Sequence, residues 1–127
     1  MLSQVFKSII NVYFMEKSYK SFNLALKEIL EKKKIKFRIL ENRTNLSYTY
    51  FSKLKNREKA PPIETIEIIA SGLDIPAEYF LEFRLHKIYE SLRENPELLE
   101  EISVFLEQLI EKKSLKVAEK ESYFKKE

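Results

Sequence analysis

The sequence predicts an all-α fold, and three observations carry that prediction. The 127 residues include a single glycine, Gly72, whereas the hairpins of β folds draw repeatedly on residues that tolerate positive φ. Apolar side chains recur at three- and four-residue spacings in segment after segment, which is the helical period. The four prolines (Pro61, Pro62, Pro76 and Pro96) fall at the breaks between those segments, where a first helical turn accommodates them. The expected architecture is a five-helix domain with an additional C-terminal helix and an N-terminal amphipathic helix. Its expected parts are an N-terminal segment (1–20), the helical domain (21–83), a C-terminal helical hairpin (84–113) and a weakly ordered charged tail (114–127).

The elements follow in order. Leu2, Val5, Phe6, Ile9, Ile10, Tyr13 and Phe14 form a helical stripe interrupted by Ser3, Gln4, Lys7, Ser8 and Asn11. It is too short and broken for a membrane span or a signal peptide, so a cytoplasmic chain with no membrane partner is expected. A start at Met15, which would remove residues 1–14, is the alternative. The first domain helix spans 21–34, capped by Ser21 or Asn23, with Leu24, Leu26, Ile29 and Leu30 on its apolar side. Its terminal lysine run complements the helix dipole. A short second helix covers 36–44, anchored by Ile39 and Leu40. Asn45 suits the left-handed conformation of a tight turn. Ser47 then caps a third helix, whose Phe51 and Leu54 stand on the buried side. A fourth helix, from Ile63 to Ser71, buries Ile63, Ile66, Ile69 and Ala70 and is closed by Leu73. A fifth follows Asp74-Ile75-Pro76 and runs from Ala77, and a sixth opens at Asn95-Pro96 and reaches about Lys113.

Composition excludes several chemistries. There is no cysteine, so no disulfide, thiolate nucleophile, zinc finger or iron–sulfur site. One histidine, His86, allows no His–His metal pair, and one glycine allows neither a GxGxxG loop nor a P-loop. Adjacent carboxylates such as Glu100 and Glu101 point in different directions on a helix. No catalytic residue, metal or cofactor is expected, and the chain does not read as an enzyme.

The net charge of +3 conceals a strong division. From Lys32 to Lys59 there are ten basic and two acidic residues, net +8. From Glu78 to Glu111 there are nine acidic and three basic residues, net −6. A basic block beside an acidic helical region suggests a polyanion-binding face on a chain whose other end does something else.

The second and third helices, short and joined by a tight turn, have the arrangement of a helix-turn-helix, in which the second member enters the DNA major groove. The stretch NRTNLSYTYFSKLKNREKAPPIETIEIIASGLDIPAEYF (42–80) resembles the XRE family, the Cro- and phage-repressor-like group. The likeness runs through the turn, the Ser cap, the aromatic–aliphatic pair, the Pro-terminated loop and the Glu-Thr-Ile opening of the fourth helix. With the lead-in from Phe22 it covers about 59 residues. Departures are specific: Phe37 stands where such proteins often carry a phosphate-binding Gln, and Glu41 where a small Ala sits at the helix crossing. Asn45, Arg57 and Asp74 replace frequent glycines.

The resemblance and the outward-facing pattern together single out Tyr48, Thr49, Ser52 and Lys53 as base readers. Thr and Tyr offer methyl or ring contact to thymine and a hydroxyl, and Lys reaches guanine acceptors. Lys36, Arg43, Lys55, Asn56, Arg57 and Lys59 are the candidates for phosphate contacts, which set register without reading sequence. Packing on a neighbouring helix or a dimer mate remains the alternative for Tyr48 and Tyr50.

In the fifth helix Phe80 and Phe83 suit the core, while Leu81, Leu85, Ile88 and Leu92 form a second stripe. Leu98, Ile102, Phe105 and Leu109 repeat that rhythm in the sixth, flanked by Leu99, Leu106 and Ile110. So much apolar surface calls for a partner. Homodimerisation through these helices, with Ile68 helping to cover them, would set two recognition helices one DNA turn, ~34 Å, apart on an inverted repeat. Packing against residues 2–14 is the alternative. The expected function is therefore a sequence-specific double-stranded-DNA-binding regulator of the repressor type. The alternative is a protein-interaction module, an antitoxin-like partner or phage regulatory adaptor, that keeps the fold and binds a regulatory protein through its C-terminal helices.

Overall fold

A computed structural model describes Gln4 and residues 15–125, with side chains through position 122. The stripe expected over 2–14 lies outside the described residues. The fold is all-α: α1 (Phe22–Lys33), α2 (Phe37–Thr44), α3 (Tyr48–Lys55), α4 (Ile63–Gly72), α5 (Leu81–Glu94) and α6 (Leu99–Lys125), with 3-10 turns at Ala77–Tyr79 and Pro96–Leu98 and no strand among the described residues. Two compact units divide at Ile88 and Tyr89.

The core of the first unit draws Phe22, Ala25, Leu26, Ile29 and Leu30 from α1, Leu40 from α2, and Phe51 and Leu54 from α3. Ile66, Ile69 and Ala70 come from α4, and Leu73, Tyr79 and Phe80 close it. The Phe22 and Phe80 rings lie 4.6 Å apart between centroids. α1 packs against α3, and α2 packs against both α3 and α4. Two expected anchors face solvent: Leu24 is 47% exposed and Ile39 is 41% exposed. The buried stripe of α1 follows Phe22, Ala25, Leu26 and Ile29, and Leu24 lies about 200° around the helix from Phe22 and Leu26. Ile39 is about 100° from the fully buried Leu40, on a helix with room for one central anchor. Ile63, expected buried, is half-buried.

Among the described residues three turns take the left-handed conformation without glycine, at Lys34 (φ 57°), Asn45 (φ 63°) and Asp74 (φ 55°). At Lys34 the N–H of Ile35 donates to the Leu30 carbonyl at 3.0 Å, and at Asp74 the N–H of Ile75 donates to that of Ala70 at 3.0 Å. Both are six-to-one closures of the Schellman type, which satisfy orphan carbonyls at a helix end. Arg57 is not among the left-handed residues, so its turn needs no glycine. Gly72 serves packing instead. A Cβ there would stand 2.5 Å from the Thr44 methyl and 3.1 Å from Leu40 Cδ1. Thr44 cannot easily yield, because its hydroxyl donates to the Leu40 carbonyl at 2.7 Å and accepts from the Leu46 N–H at 3.2 Å. Gly72→Ala is expected to lower stability by about 1–3 kcal/mol through overpacking of α2 on α4, read as a reduced urea midpoint with an unchanged slope. An unaltered midpoint would contradict the close approach.

The fifth helix begins later than the sequence suggested. Ala77–Tyr79 forms a 3-10 turn and Phe80 is extended (φ −84°, ψ 131°), so the α-helix opens at Leu81. Phe80, at this break, is fully buried in the core. Arg84 then binds the chain together. Its Nη1 donates to the carbonyls of Glu78 (2.8 Å) and Tyr79 (2.9 Å), and its Nη2 to that of Ser18 (2.7 Å). The Ser18 N–H donates to the Tyr79 carbonyl at 2.9 Å. Segment 15–20 is thereby tied to the domain, with Met15 packed on the core.

Beside it, both carboxylate oxygens of Glu82 are enclosed and lack a fully formed hydrogen bond. Burial raises its pKa, an effect the N–H groups of Glu82 and Phe22 and the charge of Arg84 only partly offset. A carboxyl that holds its proton more tightly when folded favours folding in acid, and that contribution is lost as pH rises through the raised value. Glu82→Gln should therefore raise the melting temperature by a few degrees at neutral pH. The difference from wild type should shrink on acidification to about pH 4, near the ordinary glutamate value. A gain that persists undiminished in acid would assign it to packing instead of charge.

In the second unit, the Asn95 amide closes onto the Ser91 carbonyl at 2.9 Å. Pro96 occupies the first position of a 3-10 turn, and α6 starts at Leu99. The expected end near Lys113 is overrun: α6 continues to Lys125, since no glycine or proline follows Pro96. Every described side chain from position 97 to 122 is exposed, including Leu98, Ile102, Phe105 and Leu109.

Candidate nucleic-acid interface

The candidate interface is built around α3. Ser47 caps it, its Oγ accepting from the Tyr50 N–H at 3.1 Å. Asn45 supplies the left-handed residue between α2 and α3, its N–H donating to the Glu41 carbonyl at 2.9 Å. Phe51 and Leu54 face the core. With one side of this two-turn helix buried, helical geometry turns Thr49, Ser52 and Lys53 away from it and leaves Tyr48 on the flank beside Phe51, and all four are exposed.

The residue replacing the phosphate-binding Gln has a packing role. The Phe37 ring stacks on Phe51 at 5.7 Å with 13° between planes and meets Tyr48 edge-on at 5.9 Å. Tyr48 is consequently held on one face while remaining 50% exposed. Tyr50 is half-buried, edge-on to Phe51 at 6.0 Å. Packing on a neighbouring helix, the alternative left open for both tyrosines, is thus an observed contact for Tyr48, which meets Phe37 of α2, whereas the ring contact of Tyr50 is with Phe51 of its own helix.

Lys36, Lys55, Asn56, Arg57 and Lys59 are all exposed. Lys36, Lys55 and Tyr48 line a groove of about 600 Å³. Lys27, Lys34 and Arg38 line it too, with Glu31 as the acidic member and Leu30, Ile35 and Phe37 as the apolar ones. Those three cations are additional to the residues singled out in the sequence. Lys34 ended a run read as a helix-dipole complement, and its left-handed conformation places it at the junction of α1 and α2. Arg43 differs from its companions: its Nη1 donates to the Gly72 carbonyl at 3.0 Å, which engages part of the guanidinium at the end of α4.

No group of three or more His, Cys, Asp or Glu side chains among the described residues is placed to hold a metal ion. No helix of the described residues is long and apolar enough to cross a membrane.

Residues 25–84 match the family of Cro/C1-type HTH DNA-binding domains. No curated protein and no solved structure matches the chain. The matched range contains α2, the Asn45 turn, the Ser47-capped α3 and the closing turn at Asp74, and it stops at Arg84, the residue that ties the domain's ends together. The segment from 25 to 84 is thus a Cro/C1-type helix-turn-helix DNA-binding domain of the XRE family.

Proposed function

We propose that this protein is a sequence-specific transcriptional regulator of the repressor type, reading double-stranded DNA with α3 in the major groove. The observation that carries this reading is the exposed Tyr48–Thr49–Ser52–Lys53 face on a capped helix, bordered by cations. In it Tyr48, Thr49, Ser52 and Lys53 contact base edges, and Lys36, Lys55, Asn56, Arg57 and Lys59 contact phosphates, with Arg43 contributing the donors its bond to Gly72 leaves over. Selection from randomised duplexes should enrich an inverted repeat, and a protein that enriches no site is not such a regulator. Thr49→Ala and Ser52→Ala should relax preference at defined base pairs by about 1–3 kcal/mol each. Lys55→Ala should weaken all duplexes about equally and lower the salt slope by about 0.9.

Homodimerisation through α5 and α6 completes the proposal. Leu85 and Ile88 of α5 are exposed, Leu81 and Leu92 are half-buried, and Leu98, Ile102, Phe105 and Leu109 of α6 are exposed. Ile68, on α4, is exposed as well. A strict monomer by sedimentation at tens of micromolar would sink the dimer. The same α6 surface supports a second reading, a module that docks a regulatory protein. Absence of any enriched DNA site would favour it.

A further inference from the structure

The carboxylate of Glu41 accepts a hydrogen bond from the backbone N–H of Tyr48. Glu41 belongs to α2 and Tyr48 is the first residue of α3, so this bond crosses the turn and ties the two helices directly. Of the donors left over at the start of α3, Glu41 takes the first and Ser47 the third. The bond falls at the end of α3 whose side chains reach base edges in a helix-turn-helix. Phe51 and Leu54 anchor the helix further along, and the Phe37 ring meets the Tyr48 side chain, while Glu41 holds the backbone of the first turn. Glu41 also lines a cleft of about 470 Å³ with Arg38, Asn42 and Tyr48. A carboxylate there carries negative charge to the edge of the face offered to DNA, where it repels phosphate whatever the sequence.

We propose that Glu41 is a positioning and specificity-determining residue for DNA recognition. Its hydrogen bond holds the first turn of α3 in reading position, and its charge suppresses binding to non-cognate duplexes. This rests on the reading of α3 as the recognition helix. The residue that departs from the family pattern is, on this view, a working part of the site.

Three substitutions separate the bond from the charge. Glu41→Gln keeps an acceptor and removes the charge. Glu41→Asp keeps the charge and is one methylene too short to reach. Glu41→Ala removes both. Wild type and each variant are put through selection from randomised duplexes, and their affinities for the wild-type-selected duplex and a random duplex are measured at one salt concentration, well below each melting temperature. Glu41→Gln should enrich the wild-type site and bind the random duplex roughly two- to fivefold more tightly, the scale of one exposed charge interaction. Glu41→Asp should blur preference at the base pairs under Tyr48 and Thr49 without tightening random binding. Glu41→Ala should do both. A residue that merely stabilised the fold would shift melting temperatures and leave the selected site intact. If wild type selects a site and all three variants select it equally well, the positioning role is wrong. If Glu41→Gln binds random duplex no more tightly, the charge role is wrong. A wild type that selects nothing overturns the recognition-helix reading itself, and this proposal with it.

Discussion

Phe51→Ala is expected to destabilise the DNA-binding domain by about 3–5 kcal/mol, the usual range for emptying a buried phenylalanine site. Phe51 is fully buried, stacked on Phe37 and edge-on to Tyr50. Truncation removes the ring from the α2–α3 contact and leaves a space that neighbouring helices, fixed by Leu40, Leu54 and Ile66, fill only in part. A domain of this size has a total stability on the order of 5–15 kcal/mol, so a large part of it goes. Thermal unfolding should show a drop of roughly 15 °C or more at ~4–8 °C per kcal/mol. Phe51→Leu should recover most of that by refilling the volume. DNA affinity measured well below the melting point should fall for Phe51→Ala as well, because the same ring supports Phe37, which in turn backs Tyr48. Equal melting temperatures for alanine and wild type would show that α3 does not depend on this stack.

Arg84→Met should have the next largest effect, about 2–4 kcal/mol. Methionine keeps much of the aliphatic stem and loses all three hydrogen bonds, each a charged donor on a backbone carbonyl and so stronger than a neutral pair. The carbonyls of Ser18 and Glu78 lose their guanidinium donor, while that of Tyr79 retains the Ser18 N–H. The signature is local as well as global: the Ser18 amide should lose protection from hydrogen exchange before the amides of α1 and α4 do. Arg84→Lys should rescue little, since one compact ammonium cannot reach three carbonyls that a planar fork meets from two nitrogens. Lysine restoring wild-type stability would mean that the stem, not the fork, matters.

The extent to which this site was legible in the sequence follows from the range of the interactions involved. Ser47 as a cap, Asn45 and Asp74 as left-handed residues, and the outward set at 48, 49, 52 and 53 were readable because each depends on neighbours within a turn or two. The basic block was readable too, but not its division. Lys27, Lys34 and Arg38 share a groove with Lys36 and Lys55, while Arg43 is partly engaged at Gly72, 29 residues away. Glu41 read only as a departure from the family pattern because its partner, the Tyr48 N–H, is a backbone group across the turn that no residue pattern announces.

Taken by itself, the sequence determined an all-α chain, the positions of its helices to within a few residues except at the far end of α6, and which face of α3 would be exposed. Those outcomes arise from helical periodicity, capping and proline placement, all local. The tertiary structure alone decided that Leu24 and Ile39 face water, that Phe80 breaks the start of α5, and that Arg84 closes onto Ser18, 66 residues earlier. It also gave the single glycine its role, since the left-handed turns among the described residues are carried by Lys34, Asn45 and Asp74. Gly72 is needed where α4 passes α2 too closely for a Cβ, because backbone strain at a turn can be absorbed locally while two helices in contact cannot share the same space.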